Sequence, residues 1–217
     1  MKPELDLEKV RNEVLRKIGR NVVLYQQIEK MLKFLITVGK HSGYASEIQT
    51  KLEQKAATIH HQTMGQVAGQ FLDNVYSDNE ESEEAPEELK EVHLSFRFNL
   101  ECDAVYYETK KQALASIVAD RNELIHHLLP KFNPQSIESC LETDQYLDQQ
   151  REKILPQHEE LRNLVNAVQE GIKEHAEFIN SEEGGDKLNF YGSDNLGWLY
   201  FSEKSQNKRQ EPMAGLC

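Results

Sequence analysis

The 217-residue sequence predicts an all-α protein: an elongated antiparallel bundle of about five helices with a small β insertion near residues 92–101. Three observations carry that expectation. Leu15, Ile18, Val22, Tyr25, Leu32 and Ile36 recur at steps of three and four, which lines one face of a helix. The same period returns in the later stretches up to about residue 180. Strict alternation occurs in a single run, where Val92, Leu94, Phe96, Phe98 and Leu100 alternate with polar residues.

The first helix is expected over residues 5–38, ended by Gly39 and Ser42-Gly43. Glu29 fills the next slot of its apolar series, a charge on the face that should be buried. A second long helix is expected over residues 45–76, with Ile48, Leu52, Ala56, Ile59, Met64, Val67, Phe71 and Val75 as its stripe. Gly65 and Gly69 weaken it slightly and permit a neighbour to approach closely. His60 and His61 are adjacent, so they point about 100° apart on a helix and cannot share a metal ion.

Residues 78–91 hold eight acidic side chains against the single Lys90 and read as a solvated, mobile loop. A sharper expectation is that this loop covers a phosphate-binding cleft by electrostatic mimicry. The strand at 92–101 needs a partner. Two candidates are the same strand in a second subunit and the late run Leu196-Gly197-Trp198-Leu199-Tyr200-Phe201.

Asp103 caps a third helix that runs to about Leu129, where Pro130 stops it. Beyond Asn133-Pro134 a fourth helical region carries Ile137, Leu141, Tyr146, Leu147, Ile154 and Leu155 until Pro156 breaks or kinks it. Leu161, Leu164, Val165, Val168, Ile172, Ala176 and Ile179 resume the period as a fifth helix. The expected organisation is one helical domain over residues 1–180, followed by a linker and tail over 181–217.

A net charge of −12 with no large basic face argues against avid, salt-driven binding to duplex DNA, and leaves a short local RNA contact open. Cys102, Cys140 and Cys217 are odd in number and widely spaced, which points to a reducing compartment, the cytoplasm by default. Met1-Lys2-Pro3-Glu4-Leu5-Asp6 has no apolar core, so no signal peptide is expected, and no run of 18 apolar residues suggests a membrane span.

The stretch with most chemistry is Ala119-Asp120-Arg121-Asn122-Glu123-Leu124-Ile125-His126-His127-Leu128-Leu129. Around a helix, Tyr107, Leu114, Ile117, Val118, Leu124, Ile125 and Leu128 form one apolar arc, and Arg121 falls at its centre. A guanidinium on a burying face is costly unless it is paired or lines a wet cleft. Glu29 is therefore expected to pair with Arg121 between the first and third long helices, the alternative being that Glu29 reaches water at the rim. Asn122 and His126, four apart, share one side of the helix.

Arg121-Asn122 followed by His126 resembles the signature of the HEPN superfamily, an Arg, usually with a polar neighbour, and a His a few residues on along one bundle helix. The resemblance covers the helical part of the chain. It implies a homodimer whose third helices face each other, so that two copies of Arg121, Asn122 and His126 share one cleft. It also implies an RNA-binding protein or, as in many members of the family, an endoribonuclease that needs no cofactor or metal and leaves a 2′,3′-cyclic phosphate and a 5′-hydroxyl; other members keep the fold without the chemistry. The residue types suit that reaction. Imidazole titrates near neutral pH, so His126 could take the 2′-hydroxyl proton or supply one to the leaving oxygen. Arg121 could hold the crowded phosphorus centre with paired N–H donors, and Asn122 could orient the phosphate or the imidazole. His127, turned about 100° away, is a supporting candidate at most.

Two other readings use the same residues. In one, Arg121 and Glu29 form a structural pair inside a non-catalytic dimeric adaptor that binds a protein partner. In the other, Glu123-x-x-His126 contributes to a carboxylate-bridged metal site, although Glu123 projects away from the apolar arc. No Gly-rich phosphate loop, nucleophile elbow or Ser-His-Asp set is present in the sequence.

Overall fold

The computed structural model describes residues 6–76 and 93–181. The acidic run at 78–91, the tail from 182 onward with its aromatic stretch 196–201, and the extreme N-terminus lie outside the described residues.

The chain forms an all-α bundle with a small two-stranded sheet. Its elements are α1 (Leu7–Gly39), β1 (Lys40–Tyr44), α2 (Ile48–His60), α3 (Met64–Val75), β2 (His93–Arg97), α4 (Ala104–Asn122), a π-helical segment (Glu123–Leu128), α5 (Leu129–Lys131) and α6 (Ile137–Ile179). The π segment and α5 continue α4 without a break, so the described residues form five rods. At about 1.5 Å per residue, α6 alone spans roughly 65 Å.

Two helices form the spine. On α6 the buried Cys140, Leu147, Ile154, Leu161 and Val168 follow one another at seven-residue steps. On α1 the buried Val14, Asn21, Ile28 and Leu35 keep that same step, with Ile18, Tyr25 and Leu32 between them. Such a heptad repeat on both partners is the pattern of a coiled-coil seam. Polar contacts along it rise together in number, from Lys17 with Asp148 to Gln27 with His158, so α1 and α6 run parallel. A parallel first and last helix is what an up-and-down bundle with five rods requires. The other directions do alternate: Lys110 meets Gln157 while Asp120 meets Lys153, so α4 runs against α6.

Where the stripe on α1 falls explains one failed expectation. The buried series is Val14, Asn21 and Ile28, one residue back from Leu15, Val22 and Glu29, and Leu15 is half exposed. A shift of one residue turns the face by about 100°. Glu29 therefore leaves the seam and pairs with Lys33, one turn on, at 2.7 Å, and Lys33 also donates to the carbonyl of His60 at the end of α2. Glu29 does not pair with Arg121.

The expected second helix is two. Thr63 caps α3 by accepting from the Gln66 backbone N–H, while the Gln66 side chain accepts from the Thr63 N–H, a capping box that starts a new helix after His61 and Gln62. Gly65 faces α4, where an added Cβ would meet Val118 at an ordinary 3.6 Å, and nothing lies within 4 Å of one at Gly69. At the other expected break the reverse holds. Pro156 lies inside a continuous α6, on its exposed side, where water can take the hydrogen bond that its missing N–H cannot.

The strand β2 pairs antiparallel with β1, Lys40 opposite Arg97 and Tyr44 opposite His93, a partner from the chain just after α1 that was neither of the two expected. Gly43 in β1 has φ of 156°, which side-chain-bearing residues rarely adopt, and the glycine that read as a helix stop allows this short edge. Phe96, Phe98 and Leu100 pack on the core, and Phe96 stacks on His41 at 5.3 Å and approaches the His175 ring of α6 at 6.5 Å.

Candidate functional site

Asp103 caps α4 as expected, accepting from the Tyr106 N–H at 2.7 Å. The apolar arc forms too: Leu114, Ile117 and Leu124 are buried, while Tyr107, Val118, Ile125 and Leu128 pack partly against the core. Arg121 does not sit deep within it. The side chain is half-buried, and its Nη1 donates to the Oδ1 of the neighbouring Asn122 at 3.1 Å. Asn122, Glu123, His126 and His127 are exposed. Arg121, Asn122 and His126 thus lie on an open part of the helix surface.

The helix changes its winding where this cluster sits. From Glu123 to Leu128 it is π-helical, and the Leu129 N–H reaches back five residues to the carbonyl of Leu124. Pro130 supplies a cause at the C-terminal end. It has no N–H, and in an α-helix its ring would collide with the carbonyl four residues earlier, that of His126. A wider turn relieves the collision, so Pro130 loosens the helix ahead of it as well as ending it at Lys131. The consequence for the cluster is angular. Residues five apart on an α-helix lie about 140° apart around the axis. With i to i+5 bonding each residue turns through less than the usual ~100°, which swings His126 back toward the side of Arg121.

At the N-terminal end of the π segment the helix is held from outside. The Glu123 N–H is shared between the Ala119 and Asp120 carbonyls, and the Asp120 carbonyl also accepts from the Gln150 Nε2 of α6 at 2.9 Å. Gln150 is 2% exposed, and its Oε1 accepts from Asn21 Nδ2 of α1 at 3.2 Å. Asn21 Nδ2 also donates to the Leu147 carbonyl, and its Oδ1 accepts from Arg20 Nε. The Tyr146 hydroxyl accepts a second bond from Gln150. Beside this chain Lys17 is buried, held by Asp144 at 2.7 Å and Asp148 at 2.6 Å. Burial pulls its pKa down, but the hydrogen bonds to those two carboxylates outweigh it and leave the net shift upward. The Tyr25 hydroxyl is buried without a hydrogen-bond partner among the described residues, and burial, then the nearby Asp120, raises its pKa.

Sequence reasoning therefore placed the buried cation on the wrong residue. Lys17 and Lys110 occupy that role, Lys110 bonding Gln157 at 2.9 Å and pairing with Glu160, which also accepts from the Tyr106 hydroxyl. It also missed Asn21 and Gln150. A strict seven-residue count from Val14 would have found Asn21, since it falls between Val14 and Ile28. Among the described residues, no three His, Cys, Asp or Glu side chains group closely enough to hold a metal ion, and no helix is long and apolar enough to cross a membrane. Compared with family models, curated proteins and solved structures, the chain finds no match.

Proposed function

We propose that the chain is a HEPN-like, metal-independent endoribonuclease, cutting RNA by 2′-hydroxyl attack at a composite site formed when two copies bring their Arg121, Asn122 and His126 together. The observation that carries this reading is the π-helical turn under an open Arg-Asn-His cluster. Inserted π turns are rare and concentrate at functional sites, and the wider winding of this one narrows the angle around the axis between positions 121 and 126. His126 is free to meet a solvent-borne substrate as acid or base. Arg121, with only the adjacent Asn122 on its Nη1, keeps donors for a phosphate. The competing adaptor reading rested on an Arg121–Glu29 pair, and Glu29 is engaged with Lys33 instead.

The test is cleavage of a single-stranded RNA in chelator. Wild-type protein should leave 2′,3′-cyclic phosphate ends, and His126→Ala should reduce the rate by about a hundredfold or more. Arg121→Ala should do likewise. A wild-type dimer that leaves RNA intact, or a His126→Ala variant as fast as wild type, would retire the proposal in favour of an interaction module.

A further inference from the structure

We infer that Gln150 is the positioning residue of the Arg121–His126 cluster, fixing the π turn from the neighbouring helix. The inference takes from the ribonuclease reading what the cluster does, but its geometric content is independent of that reading.

Pro130 accounts for one end of the π segment; the other end needs its own cause. A donor from outside that bonds a helix carbonyl draws it away from the axis and disturbs the ladder of backbone bonds. The Gln150 amide does this at Asp120, three residues before the winding changes and next to Arg121. Which end of that amide faces Asp120 is dictated by its other contacts. Asn21 has its Nδ2 on the Leu147 carbonyl and its Oδ1 under Arg20, so it can only donate to Gln150. Gln150 must then present oxygen to Asn21 and nitrogen to Asp120. The spine formed by α1 and α6 is thereby connected, through one buried amide, to the backbone that carries the cluster.

Amide hydrogen exchange followed by NMR on the full chain tests this without reference to RNA. In Gln150→Leu the Leu129 amide, which makes the π-type bond, should lose protection at least tenfold more than the Ile28 and Leu161 amides of the spine. Gln150→Glu keeps the acceptor for Asn21 but can donate to Asp120 only when protonated. Its Leu129 protection factor should be low at pH 8 and return to the wild-type value toward pH 5. With an RNA substrate, kcat for Gln150→Leu should fall at least tenfold while KM stays within twofold. Unchanged Leu129 protection in both variants overturns the inference, as does an equal loss at every amide, which would mean support of the whole fold. If wild-type protein does not cleave RNA, the ribonuclease proposal fails while the exchange data still decide the role of Gln150.

Discussion

Two polar clusters lie on either side of the Asp120–Arg121 peptide, and they are built differently. Toward the spine, Lys17, Asn21 and Gln150 are buried, and each bonds across a helix boundary. Toward solvent, Arg121 bonds the residue beside it, and His126 bonds no side chain among the described residues. Buried polar groups must be satisfied by the fold, so the partners of the first cluster are already chosen. Donors at an open surface are satisfied by water, which a ligand can displace. The inner cluster thus has the character of a register device, like a polar residue at a coiled-coil core position, and the outer one is left open to solvent.

The largest effect that would sharpen this contrast belongs to Lys17. Lys17→Ala removes the buried cation and leaves Asp144 and Asp148, one turn apart on the same side of α6, with Arg20 as the remaining cation on Asp148. Removing one member of a buried pair costs about 3 kcal/mol or more. Asp144 and Asp148 are partly exposed and can recover some hydration, so urea unfolding should show a loss of about 2 to 3 kcal/mol. A loss below about 0.5 kcal/mol would place Lys17 with the surface pairs and erase the difference between the clusters.

Why the sequence disclosed the outer cluster and hid the inner one is a matter of resolution in angle. Rod positions, the Asp103 cap and the apolar arc of α4 rest on patterns many residues long, and these tolerate an error of one residue. The assignment of a single charge does not: Ile28 and Glu29 differ by about 100°, and that decided between a seam and a rim. Lys110 escaped notice for a related reason, because its partners Gln157 and Glu160 are distant in sequence and it reads alone as a polar interruption. The strand β1 was hidden by its own composition, Lys-His-Ser-Gly-Tyr, whose pairing comes from the neighbouring β2 and not from its own propensity. Pro130 was seen as a stop but not as the cause of a wider turn before it, since its effect depends on the carbonyl it would strike.

An intermediate effect concerns the sheet end. Burial pushes the pKa of His41 down against the hydrogen bond its Nδ1–H donates to the Val38 carbonyl, and burial likewise lowers that of His175. Each imidazole binds its proton less readily in the folded chain than in the unfolded one. Unfolding therefore takes up protons, and stability must fall as pH drops below the ordinary imidazole value of about 6.5. Above that value both states are neutral and the contribution is flat. Wild-type protein should lose stability between pH 7.5 and pH 5, and His41→Phe, which keeps a ring against Phe96, should lose less. Equal slopes for the two proteins would show that some other group drives the dependence.

The smallest expected change is the one that bears hardest on the contrast. Arg121→Ala and His126→Ala remove groups that hold no other helix in place, since the guanidinium reaches Asn122 next door and the imidazole stands in water. Surface substitutions of that kind shift stability by about 0.5 kcal/mol or less. The π turn should survive both, because its two anchors, the Gln150 amide on Asp120 and the Pro130 ring, are untouched. Urea unfolding together with Leu129 amide exchange therefore separates a site from a strut. If Arg121→Ala costs as much as Lys17→Ala, the guanidinium is a structural cation after all, and its presence beside His126 loses its chemical meaning.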